Sequence, residues 1–144
     1  IPGHGLAKSD SHIRTPYIYK NLNYLKRNDF KVFKNKKSIF AMTAHIIFSK
    51  IDPTYTVTHS KKLINIIRND INFKNLIISD DISMKSLKFS TLINTQKAFQ
   101  AGCNLVLHCN ARMSEMKVVA ENSPKLDNFL LKKTLEFYKL VNIK

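Results

Sequence analysis

The hydrophobic positions of this chain form three short runs, separated by longer stretches of mixed polarity. The runs are SIFAMTAHI at 38–46, KNLIISDD at 74–81 and CNLVLHCN at 103–110. Their apolar residues are consecutive rather than alternating, which is typical of strands covered on both faces in a parallel sheet. We therefore predict three buried β-strands at these positions.

The stretches between the runs repeat their apolar residues at helical spacing. Ser60 is a suitable N-cap for the segment that follows it, and Gly102 is a suitable stop signal for the segment that precedes it. Residues 1–16 are rich in Gly, Pro and small polar residues and are predicted to be a loop. Helices are predicted over 20–34, 61–71, 91–101, 111–121 and 126–141, with Pro124 between the last two.

This alternation predicts an α/β fold in which parallel strands are covered by outer helices. The 144 residues suggest one domain. Each predicted strand ends in polar side chains: Thr43-Ala44-His45, Ser79-Asp80-Asp81 and His108-Cys109-Asn110. Because chemistry in parallel α/β folds collects at the carboxyl ends of the strands, we expect an active site at this edge.

Composition adds a strong positive charge, formally +14, with 24 basic and 10 acidic residues. Such a charge can indicate a nucleic-acid or anionic-membrane partner. However, the chain is rich in Lys, Asn and Ile, which have AT-rich codons, so genome bias explains the charge better and nucleic acid is not the expected partner.

No stretch resembles a signal peptide or a membrane span. Cys103 and Cys109 lie too far apart along one strand to pair, so we predict a cytoplasmic protein with no membrane partner.

Two groups of residues are candidates for catalysis. Asp80 leaves an apolar strand directly and can serve as a nucleophile, a general base or a metal ligand; alternatively, Asp80 and Asp81 cap the next helix, with Ser83. Asp10 and His12 are two residues apart, so in an extended loop the carboxylate can bond the imidazole and prepare it for proton transfer. The alternative is a polar turn with an incidental Asp–His contact.

The remaining histidines allow weaker predictions. His45 ends a strand, where it either lines a substrate pocket or makes a structural hydrogen bond. His4 either braces its glycine loop or lines the pocket, while His59 is predicted to be solvated and His108 to be structural. A zinc site of His108, Cys109 and distant histidines is a lesser alternative, and no metal is predicted.

Four segments together carry a resemblance to a known family. IPGHGLAKSDSH at 1–12, MTAHI at 42–46, IISDDISM at 77–84 and AGCNLVLHCN at 101–110 resemble, in order and spacing, the motifs of family 3 glycoside hydrolases. More narrowly, the segments resemble the bacterial β-N-acetylhexosaminidases of that family. The resemblance implies a (β/α)₈ TIM-type barrel and a retaining hydrolase that releases terminal β-linked N-acetylglucosamine from muropeptides in peptidoglycan recycling, without a cofactor.

The same resemblance assigns roles to the candidate residues. It implies that Asp80 is the nucleophile that forms a covalent glycosyl-enzyme, and that His12 is the general acid/base, oriented by Asp10. This departs from the usual pair of carboxylates. His45 is a substrate-binding candidate, and we expect the other sugar-binding side chains to lie upstream of Ile1.

In the family a Lys-His pair precedes the PGHG-type motif, and this chain starts after that point. We therefore expect residues 1–144 to be the C-terminal part of the barrel domain, about three strands with their helices, with its N-terminal half absent. The missing half is a candidate partner beside the carbohydrate, and the fragment alone is expected to be inactive. The alternative is a non-enzymatic basic α/β remnant that binds a partner chain or nucleic acid.

Overall fold

The computed structural model describes residues 1–142 and has α/β architecture with all of its strands paired in parallel. One sheet has the order β2-β4-β5, formed by Phe40–Met42, Leu76–Asp81 and Leu105–Leu107. The second sheet pairs β1, Tyr17–Ile18, with β3, Ile47–Phe48. The three predicted strands are therefore confirmed, whereas β1 and β3 were not predicted because two-residue strands leave no periodic pattern.

Five α-helices accompany the strands. They are α1, Leu22–Arg27; α2, Lys61–Asn69; α3, Thr91–Ala101; α4, Met113–Glu121; and α5, Asn128–Val141. Short 3₁₀ turns occur at Phe30–Phe33 and Val57–His59. The four helices after residue 60 match the predicted ones within the usual uncertainty of helix ends.

Three predicted elements were too long. The strand predicted over 103–110 is a strand only at Leu105–Leu107. The helix predicted over 20–34 ends at Arg27, because the backbone of Asn28 leaves the helical region at ψ −86° and the chain re-enters a separate 3₁₀ turn. The strand predicted over 38–46 pairs with its neighbour only as far as Met42. The apolar run then crosses to the other sheet as β3, which pairs with β1 instead.

A β-bulge interrupts the pairing of β4 with β5 at the catalytic candidates. The register shifts between Ile78 and Asp81, and the N–H of Leu107 donates to the buried Ser79 Oγ at 2.9 Å. The serine hydroxyl thus replaces a backbone acceptor of the ladder. Because a bulge bends its strand and re-aims the side chains beside it, this feature sets the direction of Asp80.

The opposite end of β4 is fixed by Arg68 of helix α2. Its guanidinium donates to the carbonyl oxygens of Phe73 and Asn75 at 3.2 and 2.5 Å, and to Asn104 Oδ1 at 2.7 Å. The same Asn104 oxygen accepts from the N–H of Ile77 at 2.9 Å. These bonds hold the start of the strand, so its carboxyl end is presented at a defined position.

The core lies between the sheets and helices α2 and α3. It includes the fully buried side chains of Phe30, Phe48, Leu63, Ile67, Phe73 and Ile77. Gly102 ends α3 in the left-handed conformation with φ +113°, and a Cβ there would approach Ile64 Cγ2 to 3.0 Å. Only glycine meets both demands at low energy.

Helices α4 and α5 contain no buried residue. On α5, Leu131, Leu135 and Tyr138 are 48, 53 and 63% exposed. An amphipathic helix normally buries such a stripe against a neighbouring element. Within residues 1–142 no helix combines the length and the apolar character that a membrane crossing requires.

We expect Ser60→Ala to destabilise the fold by about 1–3 kcal/mol. Ser60 is fully buried; its hydroxyl donates to Asp52 Oδ2 at 2.6 Å and accepts from the N–H of Leu63 at 3.2 Å. Ser90→Ala is the matched control, because Ser90 caps α3 from an exposed position through a 3.4 Å bond. Urea unfolding measures both variants; a loss for Ser60→Ala no larger than for Ser90→Ala would contradict the expectation.

Candidate active site

Asp80 stands at the end of β4 with a partly buried side chain. Its Oδ1 accepts from the N–H of Asp81 at 2.9 Å, and its own N–H approaches the Thr43 hydroxyl at 3.4 Å. Within residues 1–142, its other carboxylate oxygen makes no hydrogen bond. Asp80 is therefore positioned by backbone on one side and has a carboxylate oxygen left for another group.

Asp81 has a different environment and holds the turn that follows β4. The next helix, α3, is capped by Ser90, so the alternative in which the aspartates cap that helix was wrong. Its carboxylate accepts from the N–H and the hydroxyl of Ser83 at 2.9 and 2.7–2.8 Å, and from the N–H of Cys109 at 3.1 Å. Partial burial raises the pKa of Asp81, but these hydrogen bonds outweigh that effect and the pKa is lowered overall. Of the two aspartates, Asp81 ties the ends of β4 and β5 together, and Asp80 does not.

Asp10 and His12 form the hydrogen-bonded pair that their spacing predicts. Asp10 Oδ1 accepts from the His12 backbone N–H at 2.8 Å and from His12 Nδ1, also at 2.8 Å. Because an ionised carboxylate only accepts, Nδ1 carries the proton and Nε2 faces away from Asp10. Both side chains are exposed, His12 at 76% and Asp10 at 57%.

This pair is also polarised electrostatically. The hydrogen bond to Asp10 and its charge raise the pKa of His12, and the more distant charges of Asp80 and Asp81 raise it further. The hydrogen bonds from the backbone and the ring of His12 lower the pKa of Asp10. No hydrogen bond joins His12 to Asp80 within residues 1–142, and the charge of Asp80 acts on the His12 ring only from a distance.

His45 is fully buried and bonded through both ring nitrogens. Its Nε2 lies 2.8 Å from the carbonyl oxygen of Asp81, and its Nδ1 lies 2.8 Å from the Thr58 hydroxyl. A carbonyl oxygen cannot donate, so Nε2 carries the proton and Nδ1 accepts from Thr58. Burial lowers the pKa of His45, which favours this neutral ring.

The chain of hydrogen bonds continues to the nucleophile candidate. Thr58 donates to His45, so its oxygen accepts from the Thr43 hydroxyl at 2.8 Å, and the Thr43 oxygen is in turn approached by the N–H of Asp80. His45 thus supports the carboxyl end of β4 through this chain of hydrogen bonds. This geometry corresponds to the structural alternative for His45; it leaves the ring with no exposed surface for binding a substrate. Thr58 was missed, because no local pattern marked it.

The remaining histidines have three different environments. His4 is exposed. His59 was predicted to be solvated, and this was wrong: the 3₁₀ turn packs it inward to 8% exposure, and burial lowers its pKa to about 4. His108 is structural as predicted, with Nε2 bonded to Glu115 at 2.8 Å, a bond that lowers the glutamate pKa to about 2.

The cysteines and the other potential metal ligands lie apart. Cys103 is buried, which raises its pKa to about 12, and Cys109 is exposed; both are free thiols. Among residues 1–142, no three His, Cys, Asp or Glu side chains are grouped closely enough to hold a metal ion.

Comparison with known proteins gives a consistent result. Residues 1–132 match the sequence model of the glycosyl hydrolase family 3 N terminal domain. The chain is 32% identical over 144 residues to a β-hexosaminidase of Psychromonas ingrahamii, covering 96% of this chain and 41% of that protein. It is 35% identical over 115 residues to a β-hexosaminidase of Nitrosomonas eutropha, covering 76% and 33%.

Solved structures agree with this match. Native NagZ from Neisseria gonorrhoeae superposes with a TM-score of 0.79 at 26% identity, covering 99% of this chain and 45% of that one. CbsA from Thermotoga neapolitana superposes with a TM-score of 0.82 at 26% identity, covering 99% and 36%. The chain thus spans about a third to a half of the length of the relatives it matches.

Proposed function

This chain belongs to glycoside hydrolase family 3, and from that premise we propose that it is the catalytic portion of a retaining β-N-acetylglucosaminidase. Its fold is part of a TIM-type barrel. The relatives it matches are named β-hexosaminidases. In our proposal the complete protein cleaves terminal β-linked N-acetylglucosamine from muropeptides in the cytoplasm, as a step of peptidoglycan recycling, and requires no cofactor.

The proposed reaction has two steps. In the first, an Asp80 carboxylate oxygen bonds to the anomeric carbon while the glycosidic bond breaks, and the His12 ring, protonated on both nitrogens, gives its Nε2 proton to the departing oxygen. In the second, His12 takes a proton from water, whose oxygen bonds to the anomeric carbon and releases Asp80. Each step transfers one proton, and an imidazole, whose ordinary pKa is near neutrality, is the side chain that can both donate and accept it.

The observation that carries the proposal is the Asp10–His12 hydrogen bond on the loop that precedes the sheet. It occupies Nδ1 and leaves Nε2 to carry the proton that is transferred, while Asp80, with one oxygen unbonded in the described chain, stands at the end of β4. Asp81, by contrast, is occupied by Ser83 and Cys109. An exposed acid/base and a rigidly held nucleophile are the two components that the reaction needs.

The loop must move for the reaction to proceed. Asp10 and His12 are exposed, and the segment 1–16 contains no helix or strand. Gly3 adopts φ +150°, with its Cα facing Asp29 so closely that a Cβ would lie 3.0 Å from Asp29 Cβ. In our proposal the loop carries His12 toward the sugar for each proton transfer and retracts afterwards.

We also propose that the remainder of the barrel completes this domain. The outer edges of β2 and β5 pair with no strand among residues 1–142, and α5 exposes Leu131, Leu135 and Tyr138. Unpaired edges and an uncovered apolar stripe are the surfaces that neighbouring strands and helices of a closed barrel cover. The missing part also supplies most side chains that hold the sugar.

A direct test compares the isolated chain with the complete protein, in which the rest of the barrel is present. We expect the isolated chain to show no measurable release of aryl alcohol from an aryl N-acetyl-β-glucosaminide, and the complete protein to hydrolyse it. Steady hydrolysis by the isolated chain would contradict the need for the missing part. Absence of hydrolysis by the complete protein would contradict the enzymatic function itself.

Salt dependence separates this function from the alternative of a basic binding module. A lysine-driven complex with a polyanion weakens steeply as salt rises, whereas hydrolysis of a small neutral glycoside depends little on ionic strength. We expect the activity of the complete protein to change less than about threefold between 50 and 200 mM salt, a range in which polyanion binding falls by orders of magnitude.

A further inference from the structure

Asp80 and Asp81 are held at both ends by one circuit of hydrogen bonds, made by Thr43, Thr58 and His45. The N–H of Asp80 approaches the Thr43 hydroxyl at 3.4 Å, and the carbonyl oxygen of Asp81 lies 2.8 Å from His45 Nε2. Thr58 closes the circuit, because its hydroxyl oxygen lies 2.8 Å from both Thr43 Oγ1 and His45 Nδ1. The circuit therefore brackets the two residues that end β4.

A backbone carbonyl sets the direction of every hydrogen bond in the circuit. The Asp81 carbonyl oxygen can only accept, so His45 has its proton on Nε2 and accepts at Nδ1. Thr58 then donates its single proton to His45, and its oxygen accepts from Thr43. Thr43 has thereby used its own proton and presents an oxygen lone pair to the N–H of Asp80. With a neutral imidazole, this is the only arrangement that makes all four bonds.

The circuit is buried. Thr43 is 2% exposed, and His45 and Thr58 are 0% exposed. Bulk water therefore does not compete for these bonds, and in surroundings of low dielectric constant each bond is stronger than it would be in water. A member that loses its partner is left unsatisfied, which is costly for a buried polar group.

Thr58 connects this circuit to a part of the core outside the sheets. It lies in the 3₁₀ turn Val57–His59, and Val57 is fully buried in the hydrophobic core. The N–H of Val57 donates to the carbonyl oxygen of Ile46 at 2.9 Å, and the Cys103 thiol lies 3.8 Å from the carbonyl oxygen of Thr58. The turn is thus fixed by packing and by backbone bonds, so it provides a stable reference for the end of β4.

We propose that Thr58 is a positioning residue for the nucleophile: its hydroxyl joins His45 to Thr43 and so fixes the backbone from which Asp80 projects. Thr58 is fully buried and acts only through this backbone. A misplacement of about 1 Å can cost roughly a hundredfold in rate. The effect on rate rests on the proposed function, whereas the hydrogen-bond circuit itself does not.

The kinetic test is Thr58→Val in the complete protein. Valine keeps the shape of threonine but leaves His45 Nδ1 without a donor and the Thr43 hydroxyl without its acceptor. We expect kcat on an aryl N-acetyl-β-glucosaminide to fall about ten- to a hundredfold with KM changed less than about twofold. Thr58→Ser restores the hydroxyl and should keep kcat within about threefold of the parent. A parent-like kcat for Thr58→Val, or an equal loss for Thr58→Ser, would overturn the proposal.

Thr95→Val is the matched control. Thr95 is also 0% exposed, but its hydroxyl donates to the carbonyl oxygen of Thr91 within its own helix, at 2.8 Å. This variant should unfold at lower urea than the parent and keep kcat within about twofold. If it loses kcat as Thr58→Val does, the effect is a general loosening of the core and the proposal fails. A parent protein that hydrolyses no glycoside would instead contradict the proposed function.

The circuit is tested without any variant or substrate by nitrogen-15 NMR of the imidazoles in the unmodified complete protein. The chemical shifts and couplings of the ring nitrogens show which of them carries the proton. We expect a neutral His45 protonated on Nε2, with Nδ1 accepting a hydrogen bond. A proton on Nδ1, or a doubly protonated His45 at neutral pH, would reverse the bond to Thr58 and overturn the proposal, whatever the activity of the protein.

Discussion

Replacing Asp80 with asparagine is expected to reduce hydrolysis by the complete protein at least about a thousandfold. The amide is nearly isosteric with the carboxylate, but it is a far weaker nucleophile and cannot form the glycosyl ester. The side-chain oxygen of asparagine still accepts from the N–H of Asp81, which keeps the local fold. Initial rates on an aryl N-acetyl-β-glucosaminide measure the loss, and circular dichroism and urea unfolding verify that the variant is folded.

Asp70→Asn is the matched control for this variant. Asp70 is exposed at the end of α2 and paired with Lys26 at 2.9 Å, and it precedes the amino end of β4, whereas Asp80 lies at the carboxyl end. It should retain the parent rate within about twofold, because surface ion pairs contribute little. Equal losses for the two variants would indicate a general charge or folding effect. An Asp80→Asn variant with the parent rate would eliminate Asp80 as nucleophile.

Replacing His12 with alanine is expected to slow hydrolysis about a hundred- to ten-thousandfold and to flatten the pH profile. The loss should be greater for substrates with poorly leaving alcohols, which depend on proton donation, than for activated aryl glycosides. His4→Ala is the control, because His4 is an exposed histidine of the same loop that makes no side-chain bond to Asp10 or Asp80 among the described residues. The assignment fails if His12→Ala keeps the parent rate and pH dependence.

Asp10→Asn provides a test specific to the hydrogen-bonded pair. Asp10 raises the pKa of His12, so the acid form of the ring persists to higher pH than in an isolated histidine. In the first step the rate should therefore fall as pH rises through this raised pKa. Without the carboxylate the pKa returns toward its ordinary value, and the alkaline limb of kcat/KM should move to lower pH. An unmoved alkaline limb would show that Asp10 does not tune His12.

Local patterns carried most of what the sequence could predict. Consecutive apolar residues marked the strand Leu76–Asp81, and Ser60 and Gly102 marked helix ends. The i, i+2 spacing of Asp10 and His12 anticipated their hydrogen bond. Each of these features depends on neighbours within a few residues. For such features, the residues that produce the structure lie close together in the sequence, so their spacing is enough to predict it.

The rest depends on contacts between distant parts of the chain. The burial of His59 arises from packing against the loop near Phe89, and the role of His45 arises from its bond to Asp81, 36 residues later. The bulge at Ser79 needs Leu107 to donate across the sheet. None of these partners is adjacent in sequence. The sequence therefore showed the polar residues of the apolar runs but did not show which residues they contact.

The most direct test of the central claim is to identify the residue that bonds to the sugar. The complete protein is incubated with a fluorinated N-acetylglucosaminide that forms the covalent intermediate faster than it breaks down, and the protein is then digested and analysed by mass spectrometry. The account predicts one sugar per active site, attached to the peptide that contains Asp80, and no adduct in Asp80→Asn. A sugar attached to another residue, or turnover without any adduct, would contradict it.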